Sequence, residues 1–123
     1  MERTSLLIDW SVSRAKATQG YNVCRLTDTA TRKRYRTCGG GYDMVGKVIG
    51  EWLSDRYQSE LETLAERFAS FNGIRRNTVT GKITLDGGHG VEAMSRIAEA
   101  IGLTLSPVPN RRGHTVAFLA EAA

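Results

Sequence analysis

Residues 4–13, TSLLIDWSVS, set Leu6, Ile8, Trp10 and Val12 on one side of an extended chain and Ser5, Asp9, Ser11 and Ser13 on the other, with Leu7 as the exception. A period of two marks a half-buried β-strand, because successive strand side chains point to opposite faces. A turn around KATQG follows, after which YNVCRLTDT and KRYRTCGG flank the polar ATR as the arms of a β-hairpin. In a hairpin centred near Thr31, Cys24 and Cys38 would lie opposite each other. A cytosolic setting nevertheless favours thiols over a bridge.

Asp43 can cap a helix whose apolar positions, Met44, Val48, Ile49, Trp52 and Leu53, recur at helical spacing and carry it to about Tyr57. A second helical stretch, SELETLAERFASF, keeps Leu61, Leu64, Ala65, Phe68 and Phe71 on one stripe and stops at Asn72-Gly73. The polar, β-branched IRRNTVTGKITLD reads equally as a loop, a short hairpin or one strand. A third helix carries Val91, Met94, Ile97, Ala98 and Ile101, with Gly102 past its end. LTLSPV and HTVAFLA, joined through PNRRG, then read as two closing strands. The order is β-β-β-α-α-(β)-α-β-β, which is an α+β arrangement: an antiparallel sheet of about five strands with helices packed on one face. The regular strand-helix alternation of a parallel sheet is missing.

The 123 residues suffice for one domain with a real core and fall short of two, so residues 1–123 are read as a single domain. No apolar run approaches the roughly 20 residues that span a bilayer, and MERTSLLIDWSVSR lacks the apolar stretch of a secretory signal. The expected compartment is a cytoplasm. Seventeen Lys and Arg against thirteen Asp and Glu give a net charge of +4, which favours anionic partners. Only Lys16, Lys33, Lys47 and Lys82 are lysines. The basic set is thus mainly guanidinium, the better group for bidentate contact to phosphate. Two cysteines are too few for a disulfide scaffold, and they lack the partners of a zinc site.

Residues 41–47 spell G-x-x-x-x-G-K, seven of the eight positions of a nucleotide-hydrolysing phosphate loop. The eighth should be a Ser or Thr that holds Mg²⁺, and here it is Val48. Asp86, at the end of KITLD, is a poor second metal ligand, so no metal and no hydrolysis are expected. More telling is that the chain twice runs from an extended segment through a glycine cluster into a helix, at TCGGGYD and at LDGGHGVE. Free N-H groups at such helix starts bind anions, and two of them could converge on one ligand. The competing reading is packing: Gly46 and Gly50 would let the helix lie close on the sheet, and residues 39–41 would form a strand bulge.

The basic residues fall into two groups. Arg25, Arg32, Lys33, Arg34 and Arg36 belong to the hairpin, with Arg34 and Arg36 on one face and Lys33, Tyr35 and Thr37 on the other. As a solvated hairpin tip they need no partner. Arg111, Arg112 and His114 sit on the connection between the closing strands, a loop held by a sheet. His89 and His114 have no carboxylate or nucleophile at a telling spacing and read as hydrogen-bonding residues. Catalytic motifs are missing, so the class is a binding protein without a cofactor rather than an enzyme.

The motifs TCGGGYDMVGKVIGEWL and LDGGHGVEAMSRIAEAIGLTL together resemble a family of small bacteriophage and prophage proteins that pair a G-x-GYD helix start with a later GG-x-G start and a closing strand. The resemblance covers residues 34–105. Among proteins of this build the chain is similar to the first family of Thoeris anti-defence proteins, phage sponges that bind a cyclic ADP-ribose signal without degrading it. It departs from them in His89, inside the second glycine cluster, and in a longer central segment.

The resemblance implies a doubly phosphorylated, adenine-bearing ligand. Arg111 and Arg112 would meet phosphate or stack on the base, backbone N-H groups around Gly40, Gly41, Gly88 and His89 would hold the diphosphate, and Tyr42 would meet the ring. It also implies a homo-oligomer in the host cell cytoplasm, with no membrane partner. The alternative is a phage inhibitor that binds nucleic acid, or a host CRISPR or immune nuclease, through Arg32, Lys33, Arg34 and Arg36.

Overall fold

The alternating N-terminal segment forms β1 (Arg3–Val12) in a computed structural model that describes residues 3–12, 22–39, 44–67 and 73–122. In chain order there follow β2 (Asn22–Asp28), β3 (Arg34–Gly39), α1 (Met44–Arg56), α2 (Gln58–Arg67), β4 (Ile74–Arg76) and β5 (Ile83–Leu85). A 3₁₀ turn (Gly87–His89), α3 (Val91–Ala100), β6 (Leu103–Pro109) and β7 (Thr115–Ala122) complete the described elements. Strands order as β3-β2-β1-β7-β6 in one antiparallel sheet, and β4 pairs β5 in a small hairpin. The five-stranded antiparallel sheet and the α+β class read from the sequence are thus present. The ambiguous IRRNTVTGKITLD resolves as the short hairpin. No helix among the described residues is long and apolar enough to cross a membrane.

Register explains the core. Leu6 pairs Phe118 and Asp28, Ile8 pairs Leu26, Leu26 pairs Tyr35, and Leu105 pairs Ala120, so these residues share one face of the sheet. On that face Leu6, Leu26 and Phe118 cluster with Val48, Ile49, Trp52 and Leu53 of α1, Leu61 of α2 and Met94 and Ile97 of α3. Each large apolar side chain removed from water contributes about 1.5–3 kcal/mol. The opposite face carries Ser5, Leu7, Asp9 and Ser11 of β1 beside Arg25 and Thr27 of β2 and Arg34 and Arg36 of β3.

Two polar devices fix the helices to the strands. Asp28 is fully buried, and its carboxylate accepts hydrogen bonds from Trp52 Nε1 (2.9 Å), Arg56 Nη1 (2.7 Å) and the backbone N-H groups of Ala30 (2.9 Å) and Thr31 (3.2 Å). Burial alone would push this carboxyl up. The four donors, led by Trp52, overcome burial and hold it below the usual range. At the free edge of β5, the Gln58 side-chain amide donates to Ile83 O (2.6 Å) and accepts from Ile83 N (3.0 Å), while Ser54 Oγ accepts from Leu85 N (3.2 Å). Side chains of α1 and α2 thereby satisfy an edge that would otherwise invite pairing.

The hairpin register differs by one from the expected one. Cys38 pairs Val23, and Cys24 pairs Thr37. The two thiols therefore lie on opposite faces: Cys24 is buried in the core, Cys38 is exposed, and both are free.

Candidate functional site

Antiparallel pairing gathers several chain segments at one end of the sheet. Trp10 near the end of β1, the start of β2 and the end of β3 lie together there, because Trp10 pairs Cys24 and Asn22 pairs Gly39. α1 begins at this end, only a few residues beyond β3. A two-residue turn at Ile101 and Gly102 returns α3 into β6, against which α3 packs, so the start of α3 meets the end of β6. Both glycine-flanked helix starts and the β6–β7 connection thus share this pole.

The two helix starts touch through glycine. A Cβ at Gly46 would lie 2.5 Å from the carbonyl oxygen of Gly87 and 2.8 Å from the carbonyl carbon of Gly90, and a Cβ at Gly87 would collide with the backbone of Gly46 and Lys47. Gly46, the second glycine of the phosphate-loop-like motif, is therefore packed against the second glycine cluster. Its expected partner, the main sheet, is not what it meets. Gly50, one turn on, faces Met94 Sδ and Leu85, which again places α3 and β5 at the contact.

Beside this junction lies a cleft of about 440 Å³ lined by Ile8, Trp10, Val45, Val91, Leu105 and Phe118, with Ser95, Pro107 and Thr115 at its margin. Its floor is apolar sheet. Trp10 remains 49% exposed, which leaves a large aromatic surface for a planar ligand. Val45 and Val91 are the second residue of α1 and the first of α3, so both first turns border the cleft. The N-H groups of a first helical turn have no partner within the helix and carry partial positive charge. α1 has no acidic residue in its first turn, and Glu92 of α3 is held by Arg96 at 2.9 Å. A β-bulge at Val108/Pro109 pairs Pro109 with Thr115, so Val116 is the extra residue and Thr115 turns toward the cleft.

His89, Arg111 and Arg112, all expected to meet the ligand, stand outside this lining. Gly40, Gly41 and Tyr42 lie outside the described residues, in the segment that leads into Val45. Gly88 belongs to the 3₁₀ turn two residues before α3. His89 turns away, with Nε2 3.6 Å from Asp86 Oδ2 and its ring beside Gly73. Arg111 and Arg112 are exposed on a turn built by Asn110, whose side-chain oxygen accepts from the N-H groups of Arg112 (2.9 Å) and His114 (3.0 Å). Sequence reasoning placed none of the lining residues in the site, although Trp10 carried a signal: it is the one aromatic on the apolar face of the alternating first strand, close to the turn that follows.

The first basic group divides at the opposite pole. Arg32 sits at the hairpin tip with a left-handed backbone, φ 62°. Lys33 Nζ donates to Asp55 Oδ2 at 2.8 Å, and the Tyr35 hydroxyl donates to the same oxygen at 2.5 Å. Those bonds, Lys33 foremost, hold the Asp55 carboxyl below its usual range. Arg34 and Arg36 instead stand exposed on the sheet face away from the core. The cleft of about 340 Å³ at this pole is lined by Lys33, Tyr35, Glu51, Asp55 and Lys82, and its ion pair and short hydrogen bond already occupy Lys33, Tyr35 and Asp55. Comparison with protein-family models, curated proteins and solved structures finds no match to the chain.

Proposed function

We propose that the chain is a nucleotide-binding anti-defence protein that takes up a compact, doubly phosphorylated, adenine-bearing signal of the cyclic ADP-ribose type and holds it without cleaving it. The observation that carries this reading is the meeting of two helix starts at the rim of one apolar cleft with a half-exposed tryptophan in its floor. The adenine ring would lie on Trp10, flanked by Ile8 and Phe118. The phosphates would face the first turns of α1 and α3, where N-H groups and helix dipoles favour anions. Arg111 and Arg112, on the turn between β6 and β7, would close over the charged end.

No step of this binding needs a nucleophile, an acid or a metal, so the ligand leaves as it entered. Assembly of the chain into a homo-oligomer belongs to the same reading, since a second copy would restrict escape from the cleft. The test is to mix protein with cyclic ADP-ribose isomers, remove unbound nucleotide, denature the complex by heat and identify the released molecule by mass spectrometry. Recovery of the intact cyclic nucleotide is the expected result. Recovery of nothing, or of linear ADP-ribose alone, rejects the reading.

A further inference from the structure

The face of the sheet away from the core holds a charge arrangement that packing does not explain. Arg25 and Arg36 occupy directly opposed positions on β2 and β3, and Arg34 follows on the same face, opposite Thr27. Side chains directly opposed across antiparallel strands are roughly 5 Å apart at Cβ, and like charges there destabilise the sheet. Five arginines elsewhere do pair with carboxylates: Arg56 with Asp28, Arg3 with Glu121, Arg75 with Asp86, Arg96 with Glu92 and Arg76 with Glu62. Arg25, Arg34 and Arg36 have no carboxylate partner among the described residues. The only polar contact of their side chains there is a long one, Arg25 Nη2 to Ser11 Oγ at 3.4 Å. The one acid in their row is Asp9, in register with Arg25 on β1, so three positive charges face one negative and the patch is two charges positive.

We infer that this face is a second binding surface, independent of the cleft, which grips the phosphate backbone of a nucleic-acid strand through Arg25, Arg34 and Arg36. The two β3 arginines are about 7 Å apart along the strand, two residues at the usual rise. A row of that kind meets a linear series of anions better than one compact acidic group. Guanidinium presents paired donors that match phosphate oxygens. Thr27, Ser5 and Ser11 share the face and add hydroxyl partners, while Tyr35, Phe118 and Trp10 all lie on the other face. With no aromatic platform among its described residues, the surface reads backbone and is indifferent to base sequence. The hairpin-tip residues Arg32 and Lys33 are not part of it, and Arg25 is.

The test is retention of a fluorescent mixed-sequence DNA or RNA single strand by wild-type protein and by a triple variant, Arg25→Gln with Arg34→Gln and Arg36→Gln, across a salt series. Three phosphates neutralised on a single strand give a slope of about −2 in log affinity against log salt, a loss of roughly 100-fold per decade of salt. The triple variant should lose that slope. Its melting temperature should equal or exceed the wild type's, because the opposed like charges are gone. Trp10→Ala should bind the strand as wild type does, which separates this surface from the cleft. Equal retention by the triple variant overturns the inference. So does displacement of the strand by polyglutamate at the same charge concentration, which would make the patch a contact for acidic protein.

Discussion

Gly46→Ala tests whether glycine is present at the junction of the helix starts for packing. In an isolated helix the substitution would stabilise by about 1 kcal/mol, since glycine is the poorer helix former. Here the new methyl would sit 2.5 Å from Gly87 O and 2.8 Å from Gly90 C, against ordinary contact from about 3.4 Å. The shortfall of about 0.9 Å falls on backbone atoms, which have no rotamer to retreat into. α1 and the 3₁₀ turn must part, and overpacking of this kind costs about 1–3 kcal/mol, here toward the upper end. The net expectation is a loss of about 2 kcal/mol. Gly50→Ala is the control: its nearest neighbour is Met94 Sδ at 3.2 Å, a flexible side chain that can yield, so the helical gain should survive and stability should be unchanged or slightly higher. Urea unfolding followed by tryptophan fluorescence measures both. Equal stability of Gly46→Ala and wild type, or a larger loss in Gly50→Ala, would refute the packing argument.

Asp28→Ala should cost about 3–5 kcal/mol in the same assay, because it leaves the buried Trp52 indole N-H without its acceptor and removes the buried carboxylate that Arg56 pairs with. The Asp28 and Asp55 carboxyls are both held low in the folded state, so their contribution is complete above the unfolded value of about 3.9 and lost as pH falls through the folded values. Stability should therefore decline on acidification below about pH 4, and Asp28→Asn should flatten that decline; a slope as steep as wild type would contradict the assignment. Thiol labelling at pH 8 should modify one cysteine per native chain. Burial, then Asp9, pushes the Cys24 thiol up to about 11, which leaves roughly a thousandth as thiolate, while Cys38 is exposed. Cys38→Ser should abolish native labelling, and two reactive thiols in the native protein would show that Cys24 is accessible.

The alternation in β1 and the helical spacing in α1 and α3 were legible because each buries one face against the same core. Register was not. The hairpin turns on the Asp28 side chain, which takes the N-H groups of Ala30 and Thr31, and on a left-handed Arg32. That turn shifts pairing by one residue, enough to send Cys38 to the face opposite Cys24. The β4–β5 hairpin was legible only as one of three alternatives, since its strands are three residues each and depend on Gln58 and Ser54 from other elements to fill the edge. At the candidate site the glycine clusters stood out in the sequence, and the contact of Gly46 in α1 with Gly87 and Gly90 did not, because it needs α3 to run back along β6. The cleft lining was illegible for a related reason: Thr115 reaches it only through the bulge at Val116, and Trp10 reads as core on its alternating face although it stays half exposed.

Trp10 offers the most direct test of nucleotide uptake by the cleft. Cyclic ADP-ribose isomers would be titrated calorimetrically into wild-type protein and into Trp10→Ala, with unfolding curves to establish that the variant is folded. Stacking of a base on an aromatic side chain is worth about 1–3 kcal/mol, so the variant should bind roughly 5- to 150-fold more weakly. Binding of equal strength in the two proteins, or no binding by the wild type, would contradict the site.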